Sequence, residues 1–82
     1  MNHIRVLFFA TLRDRAGTKS TEMDIPTGIT VLDFKELIVE KYPALSGTMD
    51  SVVLSVNREF AFDENTIPEN AEIAMFPPVS GG

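Results

Sequence analysis

Eighty-two residues allow one small domain, and a hydrophobic share of 44% is enough for a single modest core. The net charge of −5 argues against a nucleic-acid partner, which needs a basic stripe. No run approaches the roughly 20 apolar residues that cross a bilayer, so no membrane partner is expected, and the absence of cysteine removes disulfides, thiolate metal sites and a catalytic thiol together.

Met1 to Arg5 lacks the apolar run of a signal peptide, and a cytoplasmic location is expected. From Ile4 to Phe9 the residues alternate as in a strand, with Ile4, Val6 and Phe8 on one side and Arg5, Leu7 and Phe9 on the other. Ala10 to Ala16 reads as a short helical turn closed at Gly17, where a left-handed cap is easy. Ser20 to Ile25 alternates again, Thr21, Met23 and Ile25 against Glu22 and Asp24. The two strands should form a hairpin-like pair across a connection longer than a tight turn.

Pro26-Thr27-Gly28 breaks the second strand, and the strongest helix signal in the chain follows. Thr30 suits the N-cap, Asp33 stands where a capping-box acid would, and Ile29 and Phe34 have the spacing of a hydrophobic staple. Val31, Phe34, Leu37, Ile38 and Tyr42 then line one face, with Lys35, Glu36 and Glu40 opposite, and Pro43 stops the helix. A single apolar stripe of this kind must pack on a sheet. Ala44 to Asp50 reads as a loop or a short second turn, and Val52 to Val56 as a central strand. Asn57-Arg58 has turn chemistry, Glu59 to Phe62 forms a short strand, and Asp63 to Ala71 crosses irregularly to a last strand, Glu72 to Phe76. One long helix among these strands predicts an α+β roll, a mixed sheet wrapped on one main helix.

After Phe76 the chain changes character. Pro77 and Pro78 fix φ and favour an extended, polyproline-like arm through Val79 and Ser80, reaching on the order of 20 Å at about 3.1 Å per residue. Gly81 and Gly82 lack a Cβ and can enter a passage too narrow for other residues, leaving the Gly82 carboxylate sterically free. That carboxylate is the best candidate for chemistry in the sequence, against the plainer reading of a frayed end. Residues 1 to 41 hold six basic and six acidic side chains. From Tyr42 onward only Arg58 opposes Asp50, Glu59, Asp63, Glu64, Glu69 and Glu72, so the half that carries the tail holds all the excess charge. A basic partner surface would complement it, and solubility alone would equally account for it.

No side chain reads as catalytic. His3 is the only histidine and is expected to be solvated; Asp63-Glu64 is expected to be a solvated pair rather than a metal site; no glycine-rich phosphate loop is present. The period-2 facing of the first and last strands puts Ile73 and Met75 inward. It leaves Phe9 with Arg5, and Phe76 with Glu72, on the charged side, where a lone monomer has no use for aromatics. Phe60, beside the Asn57-Arg58 turn, is a candidate to join them, with its facing open because Phe62 shares its side.

Four stretches together resemble a known family: Val6-Leu7-Phe8-Phe9-Ala10-Thr11-Leu12-Arg13 with Ala16-Gly17-Thr18, Thr30-Val31-Leu32-Asp33 through Tyr42-Pro43, Val56-Asn57-Arg58-Glu59-Phe60, and Phe76-Pro77-Pro78-Val79-Ser80-Gly81-Gly82. The family is that of the small subunits of molybdopterin synthase, sulfur carriers with a β-grasp, ubiquitin-like fold. The resemblance implies a β-grasp domain over residues 1–76 and a tail over residues 77–82. It implies that a ubiquitin-activating-type adenylyltransferase activates Gly82 with ATP, that sulfur displaces AMP to leave a thiocarboxylate, and that Gly81 lies in the narrow part of the path. The large subunit then accepts the tail in a heterotetramer of two small and two large chains, and sulfur passes to a cyclic pyranopterin phosphate in molybdenum cofactor biosynthesis. The small chain would bind no cofactor and no metal and act as a non-catalytic subunit of a transferase, its partner contacts falling on Phe9, Arg13, Phe60 and Phe76. One departure stands out: the family's usual Gly-Asp before the last strand is Asn70-Ala71 here, and Asn tolerates the left-handed turn required. The alternatives are a carrier for thiamine (thiazole) synthesis, a ubiquitin-like protein modifier, and a passive binding module.

Overall fold

The first alternation forms β1, Asn2–Phe8, in which Ile4, Val6 and Phe8 are buried, in a computed structural model that describes residues 1–78. Phe9 still donates its N–H to the Met75 carbonyl (3.1 Å), so the chain leaves the sheet only at Ala10, with φ 52 and ψ −127. The short helix α1 is therefore Thr11–Ala16, one residue later than the sequence suggests, and closes on Gly17 at φ 78. β2, Ser20–Ile25, returns antiparallel to β1.

The second helix, α2, is Val31–Lys41. Its capping box is complete: the Asp33 N–H donates to Thr30 Oγ1 (3.3 Å) and the Thr30 N–H to Asp33 Oδ2 (3.2 Å). Val31, Phe34 and Ile38 are buried against the sheet, and Pro43 diverts the chain into a 3-10 segment, Pro43–Thr48, that adds Leu45 to the core. β3 (Val53–Val56), β4 (Glu59–Ala61) and β5 (Glu72–Phe76) complete a five-stranded sheet of order β2-β1-β5-β3-β4, parallel only between β1 and β5. β3 is an interior strand as expected, between β5 and β4, and the middle of the five is β5. β-branched content marks β3 as interior, yet it has only the edge strand β4 on its far side, whereas β5 buries Ile73 and Met75 completely.

Turn residues hold the positive φ values that the topology demands. Asn57 (φ 51) and Arg58 (φ 71) make the two-residue β3–β4 turn, and Asn70 (φ 57) takes the left-handed conformation expected of it before β5. The irregular crossing is pinned to α2 at several points. Ile67 donates to the Ile29 carbonyl, Val31 to that of Asn65, and Lys35 Nζ meets Asp63 Oδ1 at 2.7 Å. Asp63 is thus an ion-pair partner rather than a merely solvated carboxylate. Asn2, fully buried, ties the start of the chain to the crossing: its Nδ2 donates to the Pro68 carbonyl (2.8 Å) and its Oδ1 accepts from the Asn70 N–H (2.7 Å).

Candidate functional site

Because α2 covers one face of the sheet, alternate residues of every strand are left on the other. Leu7, Ser55 and Ala74 lie on this outer face, each one position from buried residues on its strand. Aromatic side chains gather at one end of it. Phe9, 41% exposed, stacks on half-buried Phe76 with ring centroids 4.7 Å apart and planes 12° from parallel. Phe60, 76% exposed, comes from β4 across from Ser55. Val53 pairs in register with Phe76 and lines the same surface.

Together these residues line, with Ala10, Pro77 and Pro78, an open groove of about 740 Å³. A second groove of about 370 Å³ shares Phe9, Phe60 and Phe76 and continues over Leu7 and Ala74, with Arg58 and Glu72 at its rim. The structure thus brings Phe9, Phe60 and Phe76 into one surface. Arg13, exposed on α1, is not in either groove. It lines an adjoining one of about 280 Å³ with Arg5 and Lys19, joined to the aromatic surface through Leu7 and Phe9. Val79, Ser80, Gly81 and Gly82 lie outside the described residues, so the expected tail geometry does as well.

The arrangement is suited to apolar recognition at the point where the chain leaves the sheet. Phe9 and Phe76 are absent from the buried core, so they are not core aromatics of a twisted sheet. No group of His, Cys, Asp and Glu able to hold a metal ion occurs among the described residues, and none of their helices is long and apolar enough to cross a membrane. One member of the surface escaped the sequence reading, and another, Phe62, was placed there only as sharing the side of Phe60. Val53 was hidden in an apolar run, and its partnership with Phe76 follows only from strand register. Phe62, 68% exposed, extends the apolar strip along β4 with Val52 and Ala61.

A family model described as the ThiS family matches residues 6–82. The chain is 34% identical over 79 residues to a molybdopterin synthase sulfur carrier subunit of Arabidopsis thaliana, covering 96% of this chain and 82% of that protein. It is 36% identical over 83 residues to one of Drosophila yakuba, covering 98% and 91%. The crystal structure of SAMP1 from Haloferax volcanii superposes with a TM-score of 0.85 at 31% identity, covering 98% of this chain and 99% of that one. The α+β roll is a β-grasp fold of this ubiquitin-like type.

Proposed function

The chain belongs to the ThiS family, and from that premise we propose that it is the sulfur carrier subunit of a molybdopterin synthase, with Gly82 as the reacting residue. The observation that carries this reading is the match, over nearly the whole chain, to sulfur carrier subunits of that synthase. The aromatic surface beside Pro77 supports it, because a carrier must be held by a partner while its tail is used.

The chemistry follows from the weakness of a carboxylate as an electrophile. Attack by the Gly82 carboxylate on the α-phosphorus of ATP, on a separate adenylyltransferase, expels pyrophosphate and gives an acyl adenylate. Sulfide-level sulfur, as hydrosulfide, then adds to the acyl carbon, AMP leaves, and loss of a proton gives a thiocarboxylate. A protein without cysteine thereby stores a nucleophilic sulfur on its own main chain. In the large subunit that sulfur attacks a cyclic pyranopterin phosphate, and water then cleaves the bond between the acyl carbon and sulfur, leaving the sulfur on the pterin and restoring the Gly82 carboxylate. A dithiolene needs two sulfurs, so two carriers serve each product. Phe9, Phe60 and Phe76 form the docking surface, Arg13 supplies a charge at its margin, and the glycines thread the tail. The chain itself binds no cofactor, and the reaction sequence runs in the cytoplasm.

The test is sulfur transfer reconstituted with the large subunit and precursor. Deleting Gly82 should abolish transfer while leaving thermal stability unchanged; transfer by the deletion variant would overturn the reading. The likeness to SAMP1, which belongs to the small archaeal modifier proteins, favours a second reading as a protein modifier. A ladder of high-mass conjugates that disappears with Gly82 would support it.

A further inference from the structure

The outer face carries, at the end remote from the aromatics, a cluster of charges that the sulfur-carrier reading does not use. His3 and Arg5 project from β1, and Asp24 and Glu22 stand opposite them on β2 in register. His3 Nδ1 lies 2.8 Å from Asp24 Oδ1, and Nε2 lies 2.8 Å from Glu22 Oε1. Ionised carboxylates only accept hydrogen bonds, and a neutral imidazole has one N–H. Two such contacts can therefore both be hydrogen bonds only when both ring nitrogens carry protons.

We propose that His3 is a proton-operated clasp on the edge of the sheet: as imidazolium it bridges Glu22 and Asp24 and fastens β2 to β1, and loss of one proton to solvent opens one of the two bonds. The deprotonated ring would turn a nitrogen lone pair toward one carboxylate. It would also leave Glu22 and Asp24, two residues apart on the same face of β2, without the cation between them. The other charged groups near it do not replace that cation. Arg5 is shared in register between Glu22 and Glu72 and makes no ion pair with either among the described residues. Glu69 and Glu72, before and within β5, add only negative charge, and α2 lies on the opposite face.

The two carboxylate hydrogen bonds, that of Glu22 first and of Asp24 second, raise the His3 pKa above its ordinary value of 6.5. The sign follows: the clasp's stabilisation is fully present below about pH 6.5, where even the unfolded chain is protonated, and is lost as pH rises through the higher folded value. Among the described residues β2 is an edge strand with no neighbour beyond it, so the clasp acts where the sheet is easiest to fray.

Because His3 is the sole histidine, its ring resonances in the full chain report the clasp without ambiguity. A titration by NMR should give a midpoint above 6.5, which Glu22→Gln and Asp24→Asn each lower and the double substitution returns to about 6.5. In parallel, the urea midpoint of the native chain should exceed that of His3→Gln at about pH 6, and the excess should shrink as pH rises through the folded value. A midpoint at or below 6.5 that ignores both carboxylate substitutions would overturn the proposal. So would a stability difference from His3→Gln that is constant across that rise in pH.

Discussion

Replacing Phe60 with alanine separates docking from folding more cleanly than any other change. The side chain is 76% exposed in the isolated chain, so its removal opens no cavity and should alter stability by no more than about 0.5 kcal/mol. On docking, about three quarters of its burial remains to be gained. Full burial of such a side chain is worth about 1.5–3 kcal/mol, so the variant should lose about 1–2 kcal/mol of binding, or about 5- to 30-fold in Kd for the large subunit. A larger loss would mark Phe60 as an anchor seated in a closely fitting pocket. Calorimetric titration of the large subunit, with thermal melting of the same preparation, measures both quantities. Unchanged affinity together with an unchanged melting temperature would remove Phe60 from the docking surface and refute the reasoning from exposure.

Phe76→Ala should affect both measurements. The ring is half-buried and stacked on Phe9, so folding should lose about 1–2 kcal/mol, below the 3–5 kcal/mol of a core phenylalanine, and binding about 2 kcal/mol. Melting and titration of the refolded variant check the division. Asn57→Ala should destabilise by about 1–2 kcal/mol in urea denaturation, because it places alanine at φ 51 and removes the Oδ1 that accepts the Glu72 N–H at 2.9 Å. Its binding curve should be unchanged once the chain is folded.

Local signals were legible wherever the sequence itself contains enough of a repeat to fix them. β1 offers three full alternations, and α2 offers both a capping box and a proline stop; each element lies within two residues of its expected bounds. Asn70 was legible for a different reason, since few residue types accept its φ. Three residues of β4 are too few for a period, which left the facing of Phe60 open until its register with Ser55 settled it. The rank of β3 and β5 in the sheet depends on strand order, which no local pattern encodes. The same holds for Asn2 and His3. Their partners are 19 to 68 residues away, and only the folded chain brings a solvated-looking histidine between two carboxylates. Of the candidate site, the aromatic face followed from strand periodicity, while its outline needed Val53 from the fold.

The sulfur-bearing atom belongs to Gly82, and mass spectrometry of the intact chain reads it directly. After incubation with the adenylyltransferase, ATP and a sulfur source, a species heavier by the difference between sulfur and oxygen should appear. Fragmentation should place the added mass at the Gly82 end, and ATP should be required for it. A chain whose mass is unchanged under those conditions, or whose added sulfur maps to any other residue, would contradict the account.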